Sequence, residues 1–353
     1  MAKELWKGNE AVAEAAIRAG CKYFFGYPIT PQNEIPEYLS LHLPKVGGCF
    51  LQAESEVAAI NMVYGAAGCG VRVMTSSSSP GISLKQEGIT YMCGAELPAV
   101  IVNMMRGGPG LGTIQPAQGD YYQATRGGGN GDYRHLVYAP ATIQEAADLV
   151  QEAFDVADYY RNPVMIAADG MIGQMMEAVE WREPPKRELP EKTWATTCTK
   201  EQREPNVINS LYIDPNICAE HNERLAKKYK AIEENEVRWE EFNTENAEII
   251  FVAYGTPSRI TRAAIKMLEK EGIKAGLIRP ITLWPFPTKA LKAAAMQDSV
   301  KAVVDFELSM GQMIDDVKIA LEGCRPVTFV GKAGGVVPTP AEVAAAAKAA
   351  IGR

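Results

Sequence analysis

Short apolar runs alternate with amphipathic stretches through the first 170 residues, the pattern of parallel α/β structure. Asn9 stands where it can cap a helix over 11–18, with Gly20 as the C-terminal stop. Residues 22–25 read as a strand. Thr30 before Pro31 reads as a helix start, a hydroxyl cap followed by a proline whose missing N–H costs nothing there. A short strand is expected at 50–52, a helix rich in small residues at 54–67, a strand at 71–75 and a helix at 81–93. The run PAVIVNM, residues 98–104, is apolar on successive positions and predicts a central strand buried on both faces. A strand at 163–168 closes this unit.

Between 177 and 247 the texture changes. WREPPKRELPEKTW is proline-rich and charged, which suits an extended connector. Residues 221–242 place Leu225, Tyr229, Ile232, Val237 and Trp239 among many charges and predict a partly exposed helix. The last hundred residues return to α/β, with strands at 249–253, 276–278, 302–306 and 326–330. Helices are expected at 259–271, 314–321 and 340–351. The chain thus divides into 1–176, a connector with a charged helix over 177–247, and 248–353. Its 353 residues agree, being about 2.4 units of roughly 150 residues.

Composition narrows the function. Hydrophobic residues make up 47% and charged residues 22%, so wholesale disorder is excluded. A formal net charge of −7 argues against nucleic acid or an anionic membrane as partner. No apolar run approaches the roughly 20 residues of a membrane span, and the N-terminus has no signal-peptide core, so a soluble, cytoplasmic chain is expected. The seven cysteines show no CxxC and no close pairing. They read as reduced thiols, and their spacing does not suit an iron–sulfur cluster within this chain. His42, His135 and His221 are too scattered for a metal site, and no GxSxG is present.

Generic nucleotide motifs fail. GxxxxGK[ST] is absent, and GGPGLG is not GxGxxG and opens no apolar helix. Some 30 glycine-dense residues after the apolar strand nevertheless form a loop long enough to suggest function. Three features stand at the carboxyl ends of expected strands, where α/β folds bind ligands. Tyr27-Pro28-Ile29-Thr30-Pro31 leaves the first strand, where helix N–H groups favour anions. Glu54-Ser55-Glu56 opens a helix, and Arg106 follows the apolar run, where a guanidinium can clamp a carboxylate in two-pronged fashion. Taken singly, each also has a plain structural role as a helix cap, first-turn acids or a strand-end salt bridge.

Together with their surroundings these residues resemble a known family. GYPITPQNEI, LQAESEVAAINMVYGAA, MTSSSSPGISLKQEGITY and ELPAVIVNMMRGGPGLGTIQPAQGD are similar, in order and spacing, to the thiamine-pyrimidine domain of 2-oxoacid:ferredoxin oxidoreductase alpha subunits. AYGTPSRI, LIRPITLWPFP, VVDFELSMGQM and VGKAGG resemble that family's transketolase C-terminal-like domain. The likeness covers nearly the whole chain and is greatest to the branched-chain, 2-oxoisovalerate type, with the 2-oxoglutarate type a close relative.

The resemblance implies a parallel-sheet domain that binds the pyrimidine end of thiamine diphosphate, followed by a transketolase C-terminal-like α/β domain. Counting back from Gly65, the family's catalytic glutamate falls on Glu56, not Glu54. Its substrate-binding arginine falls on Arg106 and its pocket threonine on Thr30, with Pro28 and Ile29 against the cofactor. The family's GDG…N motif for Mg²⁺ and the diphosphate is missing: Asp169-Gly170 has no preceding glycine. A beta subunit is therefore expected to supply that half-site. Gamma and delta-type subunits are expected to carry the [4Fe-4S] clusters, with CoA as co-substrate and ferredoxin as electron acceptor. An isolated chain should be inert. The rivals are the same chemistry on 2-oxoglutarate, pyruvate or an aryl pyruvate, and a noncatalytic scaffold. The C-terminal domain is expected to serve assembly, with Gly255, Arg279-Pro280 and Glu307 as turns and packing, or alternatively with Arg279 and Glu307 as ligand contacts at strand ends.

Overall fold

A computed structural model describes residues 3–198, 200 and 202–353. Its centre is the apolar run read from the sequence, which forms the strand Val100–Met105, buried at every position. Successive side chains of a strand face opposite ways. Accordingly Val100, Val102 and Met104 join one apolar cluster with the helices Gly8–Arg18 and Ile143–Tyr160, while Ile101 and Met105 join another with Glu56–Gly68 and Ser79–Gly94. Helices on both faces of one sheet account for the unbroken apolarity of the run.

Seven strands lie in this sheet, in the order Thr282–Trp284, Leu136–Tyr138, Val164–Asp169, Val100–Met105, Val73–Ser77, Tyr23–Gly26 and Cys49–Gln52. All are parallel except Thr282–Trp284, which pairs antiparallel with Leu136–Tyr138. The chain runs from Tyr23–Gly26 outward to Cys49–Gln52, then crosses back to Val73–Ser77 on the other side. That reversal makes a topological switch point at the carboxyl ends of Tyr23–Gly26 and Val73–Ser77.

A second sheet of five strands has the order Val327–Gly331, Ala302–Glu307, Ile249–Val252, Ala275–Pro280 and Trp239–Phe242. One of its faces, with Ile250, Val252, Ile278 and Val303, belongs to the same apolar cluster as Ile60 and Ile89 of the first unit. The two sheets therefore share a core rather than meeting across water. No helix among the described residues is long and apolar enough to cross a membrane.

Several elements differ from expectation. Thr30-Pro31 starts no helix: the next helix is Glu34–His42. The carbonyls of Thr30 and Pro31 are instead taken by side chains, from Arg106 and from Asn9 and Gln174 respectively. Asn9 accordingly is no cap but a buried residue in the first turn of Gly8–Arg18. The charged segment forms the helix Pro215–Asn235, and Trp239–Phe242 leaves it to pair antiparallel with Ala275–Pro280. Ile143–Tyr160, capped by Thr142, was not anticipated.

Candidate functional site

The switch point gathers the residues singled out from sequence. Ser55 caps the helix Glu56–Gly68 by accepting from the Ala58 N–H at 3.2 Å, which sets Glu56 in the first turn. Glu56 is only 7% exposed, and among the described residues no group donates to its carboxylate. The carboxylate lies against Gly81 of the neighbouring helix: a Cβ there would fall 2.7 Å from Glu56 Oε1 and 2.0 Å from Ser77 Oγ. Only glycine permits this approach.

Arg106 lies at the other end of the same serine turn. Its backbone is held by Ser79, whose Oγ accepts from the Arg106 N–H at 3.0 Å and lies 3.2 Å from the Arg106 carbonyl. Its guanidinium, 8% exposed as a residue, donates to the carbonyls of Thr30 at 2.8 Å and Leu111 at 3.2 Å. Among the described residues the Nε proton has no partner, nor do the buried hydroxyls of Ser77 and Ser78. Thr30 and Pro28 are exposed and Ile29 half-buried on the loop that leaves Tyr23–Gly26. A cleft of about 520 Å³ opens beside Thr30, lined among others by Ile114, Met171, Met175 and Glu34. Burial raises the Glu34 carboxyl, but hydrogen bonds from Lys7 and Asn9 outweigh it and hold it below the usual range.

Two buried groups were missed from sequence. Asp120 accepts from Ser79 Oγ at 2.5 Å and from Asn103 Nδ2 at 3.0 Å. Burial raises its carboxyl above the usual range against the pull of these bonds and of Arg106. A lone Asn103 in an apolar run was the available signal. Lys85, fully buried on Ser79–Gly94, has its Nζ 3.4 Å from the Glu56 carbonyl oxygen. Burial pushes its ammonium down to about 8, against the attraction of Glu56. The signal was a lysine between Ile82 and Ile89 on the buried face of the helix.

Asp169 ties the two units together. Its carboxylate accepts from the Thr256 N–H at 2.8 Å and from Thr256 Oγ1 at 2.7 Å, at the start of the helix Gly255–Lys270. Arg279 is a packing residue, donating twice at 2.8 Å to Glu145 of the first unit and at 2.7 Å to Glu240. Glu307 caps Met313–Leu321 by accepting from the N–H groups of Gln312, Met313 and Ile314.

Residues 14–241 match the family described as pyruvate flavodoxin/ferredoxin oxidoreductase, thiamine diphosphate-binding, and residues 247–343 match pyruvate:ferredoxin oxidoreductase core domain II. The chain belongs to the 2-oxoacid:ferredoxin oxidoreductase family. Thiamine diphosphate is the cofactor of this family. The chain is 51% identical to ketoisovalerate oxidoreductase subunit VorB of Methanothermobacter thermautotrophicus, over 95% of this chain and 94% of the relative. It is 36% identical to 2-oxoglutarate synthase subunit KorA of Methanocaldococcus jannaschii, over 97% of this chain and 98% of the relative. Among solved structures, the 2-oxoglutarate:ferredoxin oxidoreductase of Magnetococcus marinus, with 2-oxoglutarate, coenzyme A and succinyl-CoA bound, is similar at a TM-score of 0.85 and 26% identity. The match covers 99% of this chain, which spans 65% of that longer chain.

The residues present suit the family's cofactor. A carboxylate without a donor, a glycine cradle beside it, and orphaned buried hydroxyls at Ser77 and Ser78 make a polar recess that a hydrogen-bonding ring can complete.

Proposed function

We propose that this chain is the alpha-type subunit of an enzyme that oxidatively decarboxylates 2-oxoisovalerate to an acyl-CoA and CO₂ and passes the electrons to ferredoxin. One observation carries the reading: a donor-free carboxylate, Glu56, and a pre-held guanidinium, Arg106, flank one serine turn at the switch point.

Thiamine diphosphate, when bound, supplies the acidic carbon that attacks the substrate ketone. Glu56 would hydrogen-bond N1′ of its pyrimidine and hold a proton there. Pro28 and Ile29 would pack against the ring. Arg106 would take the substrate carboxylate through its free donors, with Thr30 on the pocket wall. A beta subunit would bring Mg²⁺ and the diphosphate contacts, and gamma and delta-type subunits the [4Fe-4S] path to ferredoxin. CoA would take the acyl group.

The substrate assignment rests on two supports. Identity is higher to the ketoisovalerate relative, 51%, than to the 2-oxoglutarate relative, 36%. The cleft beside Thr30 is lined by Ile114, Pro116, Met171 and Met175, by the uncharged Asn33, Gln115 and Gln174, and by Glu34, whose partner is Lys7; no cation among its lining residues stands ready for a second substrate carboxylate.

The test is Glu56→Gln in the whole complex. Turnover should fall by about 10²–10⁴-fold while assembly persists, because an amide cannot stabilise the protonated ring nitrogen. Near-normal turnover there, with Glu54→Gln inactive, would move the catalytic role two residues back. A panel of 2-oxoacids should give the highest kcat/KM for the branched ones; a preference for 2-oxoglutarate would refute the substrate assignment.

A further inference from the structure

Lys85 is costly as it stands. It is fully buried, and a buried ammonium persists only where something compensates it. Three other buried or half-buried cations have carboxylate partners: Lys228 has Glu96, Arg279 has Glu145 and Glu240, and Arg187 has Glu236, whereas Arg106 of the site is held on carbonyl oxygens. Among the described residues Lys85 has no such ion pair. Its ammonium bonds instead to the backbone oxygen of Glu56 at 3.4 Å. An apolar side chain of the same length would fill the space between the two helices at lower cost. The charge at this position therefore needs an explanation beyond packing.

We propose that Lys85 is a positioning residue: by donating to the Glu56 carbonyl, its ammonium fixes the helical turn from which the Glu56 carboxylate meets the cofactor. The arrangement supports this. Lys85 lies one helical turn beyond Gly81, the residue on which the Glu56 carboxylate rests. Glycine thus sets how near the two helices come, and the lysine ties the Glu56 backbone across that gap. The inference rests on the reading that Glu56 serves the pyrimidine, and the variants below separate the two.

The experiment uses the assembled complex freed of cofactor, with thiamine diphosphate as probe and calorimetry as readout. Lys85→Met, Glu56→Gln and the double variant are compared for affinity, and Lys85→Met for kcat and KM. Lys85→Met should weaken thiamine diphosphate binding about tenfold, the loss expected for one hydrogen bond to a charged group. It should lower kcat without changing KM for the 2-oxoacid. In the Glu56→Gln background it should add nothing. An equal penalty in both backgrounds, or full kcat in Lys85→Met, overturns the proposal. If Glu56→Gln itself leaves affinity and turnover intact, the assignment of Glu56 falls and the role of Lys85 falls with it. Should Lys85→Met fail to assemble, Lys85→Gln carries the same cycle.

Discussion

The guanidinium of Arg106 lies 2.8 Å from the carbonyl of Thr30, joining loops that are 76 residues apart in sequence. Its second contact, to the carbonyl of Leu111, closes the glycine-rich loop over the same group. Two of the five guanidinium N–H donors are thereby engaged and three remain. The arginine is already held in place, so a carboxylate bound there would cost it little further rotamer freedom.

Arg106→Lys should therefore be nearly as damaging as Arg106→Ala. An ammonium can neither span both carbonyls nor present a fork to a carboxylate. The loss should be about 10- to 150-fold in kcat/KM for every 2-oxoacid tested, as expected for about 1.5–3 kcal/mol. Selectivity among side chains should barely move. Steady-state kinetics on a substrate panel decides the matter, and a defect confined to 2-oxoglutarate would place Arg106 against a side-chain carboxylate instead.

Gly81→Ala separates helix stability from catalysis. Alanine is the better helix former by about 1 kcal/mol. Its Cβ would nevertheless meet Ser77 Oγ and Glu56 Oε1 at 2.0 and 2.7 Å. The carboxylate must shift, and a displacement of about 1 Å can cost about 10²-fold in rate. Turnover should fall steeply while circular dichroism and complex assembly stay as in the parent.

Arg279→Ala tests the join between the two sheets. The side chain is 7% exposed, and its partners Glu145 and Glu240 are 19% and 38% exposed. Removing one member of a fully buried pair costs about 3–5 kcal/mol, and partner exposure reduces this to about 2–3 kcal/mol. Thermal denaturation should show the loss, with kcat/KM for 2-oxoacid little changed at low temperature.

His135 gives the chain an acid-sensitive spot. It is buried, both ring nitrogens lack partners, and burial, aided by the Arg134 charge, lowers its pKa from 6.5 to about 4. Between those values the unfolded chain binds the proton that the folded chain refuses, so stability is full above pH 6.5 and falls as pH drops toward 4. The single residue should cost about 2 kcal/mol between pH 7 and pH 5. His135→Phe should flatten that part of the stability–pH curve measured by urea denaturation.

Much of the fold lay open in the sequence because it was written in contiguous runs. Consecutive apolar residues marked Val100–Met105 as a two-sided strand. Glu54-Ser55-Glu56 and Arg106 stood out because each lies just beyond a strand, while the choice of Glu56 over Glu54 came from the family resemblance. What was not legible depends on residues that are distant in sequence. Asp120 matters because Ser79 and Asn103 fold onto it, and Lys85 because Glu56 lies across a helix pair. The ends of Pro215–Asn235 were misread because Trp239–Phe242 is drawn out of helical spacing by pairing with Ala275–Pro280. Thr30-Pro31 misled for a similar reason: its carbonyls satisfy side chains rather than a helix.

The loop that holds Arg106 is itself held from the other unit. Gly335, with φ of +87°, passes so near that a Cβ on it would lie 2.3 Å from Gln115 Cβ, and Gln118 exchanges hydrogen bonds with Leu308 at 2.8 and 3.1 Å. Grafting the first unit onto a foreign C-terminal partner would therefore not transplant a working pocket. The interchangeable piece, for an engineer or for gene fusion, is the pair of units with the seam of Gly335, Gln115 and Leu308 intact.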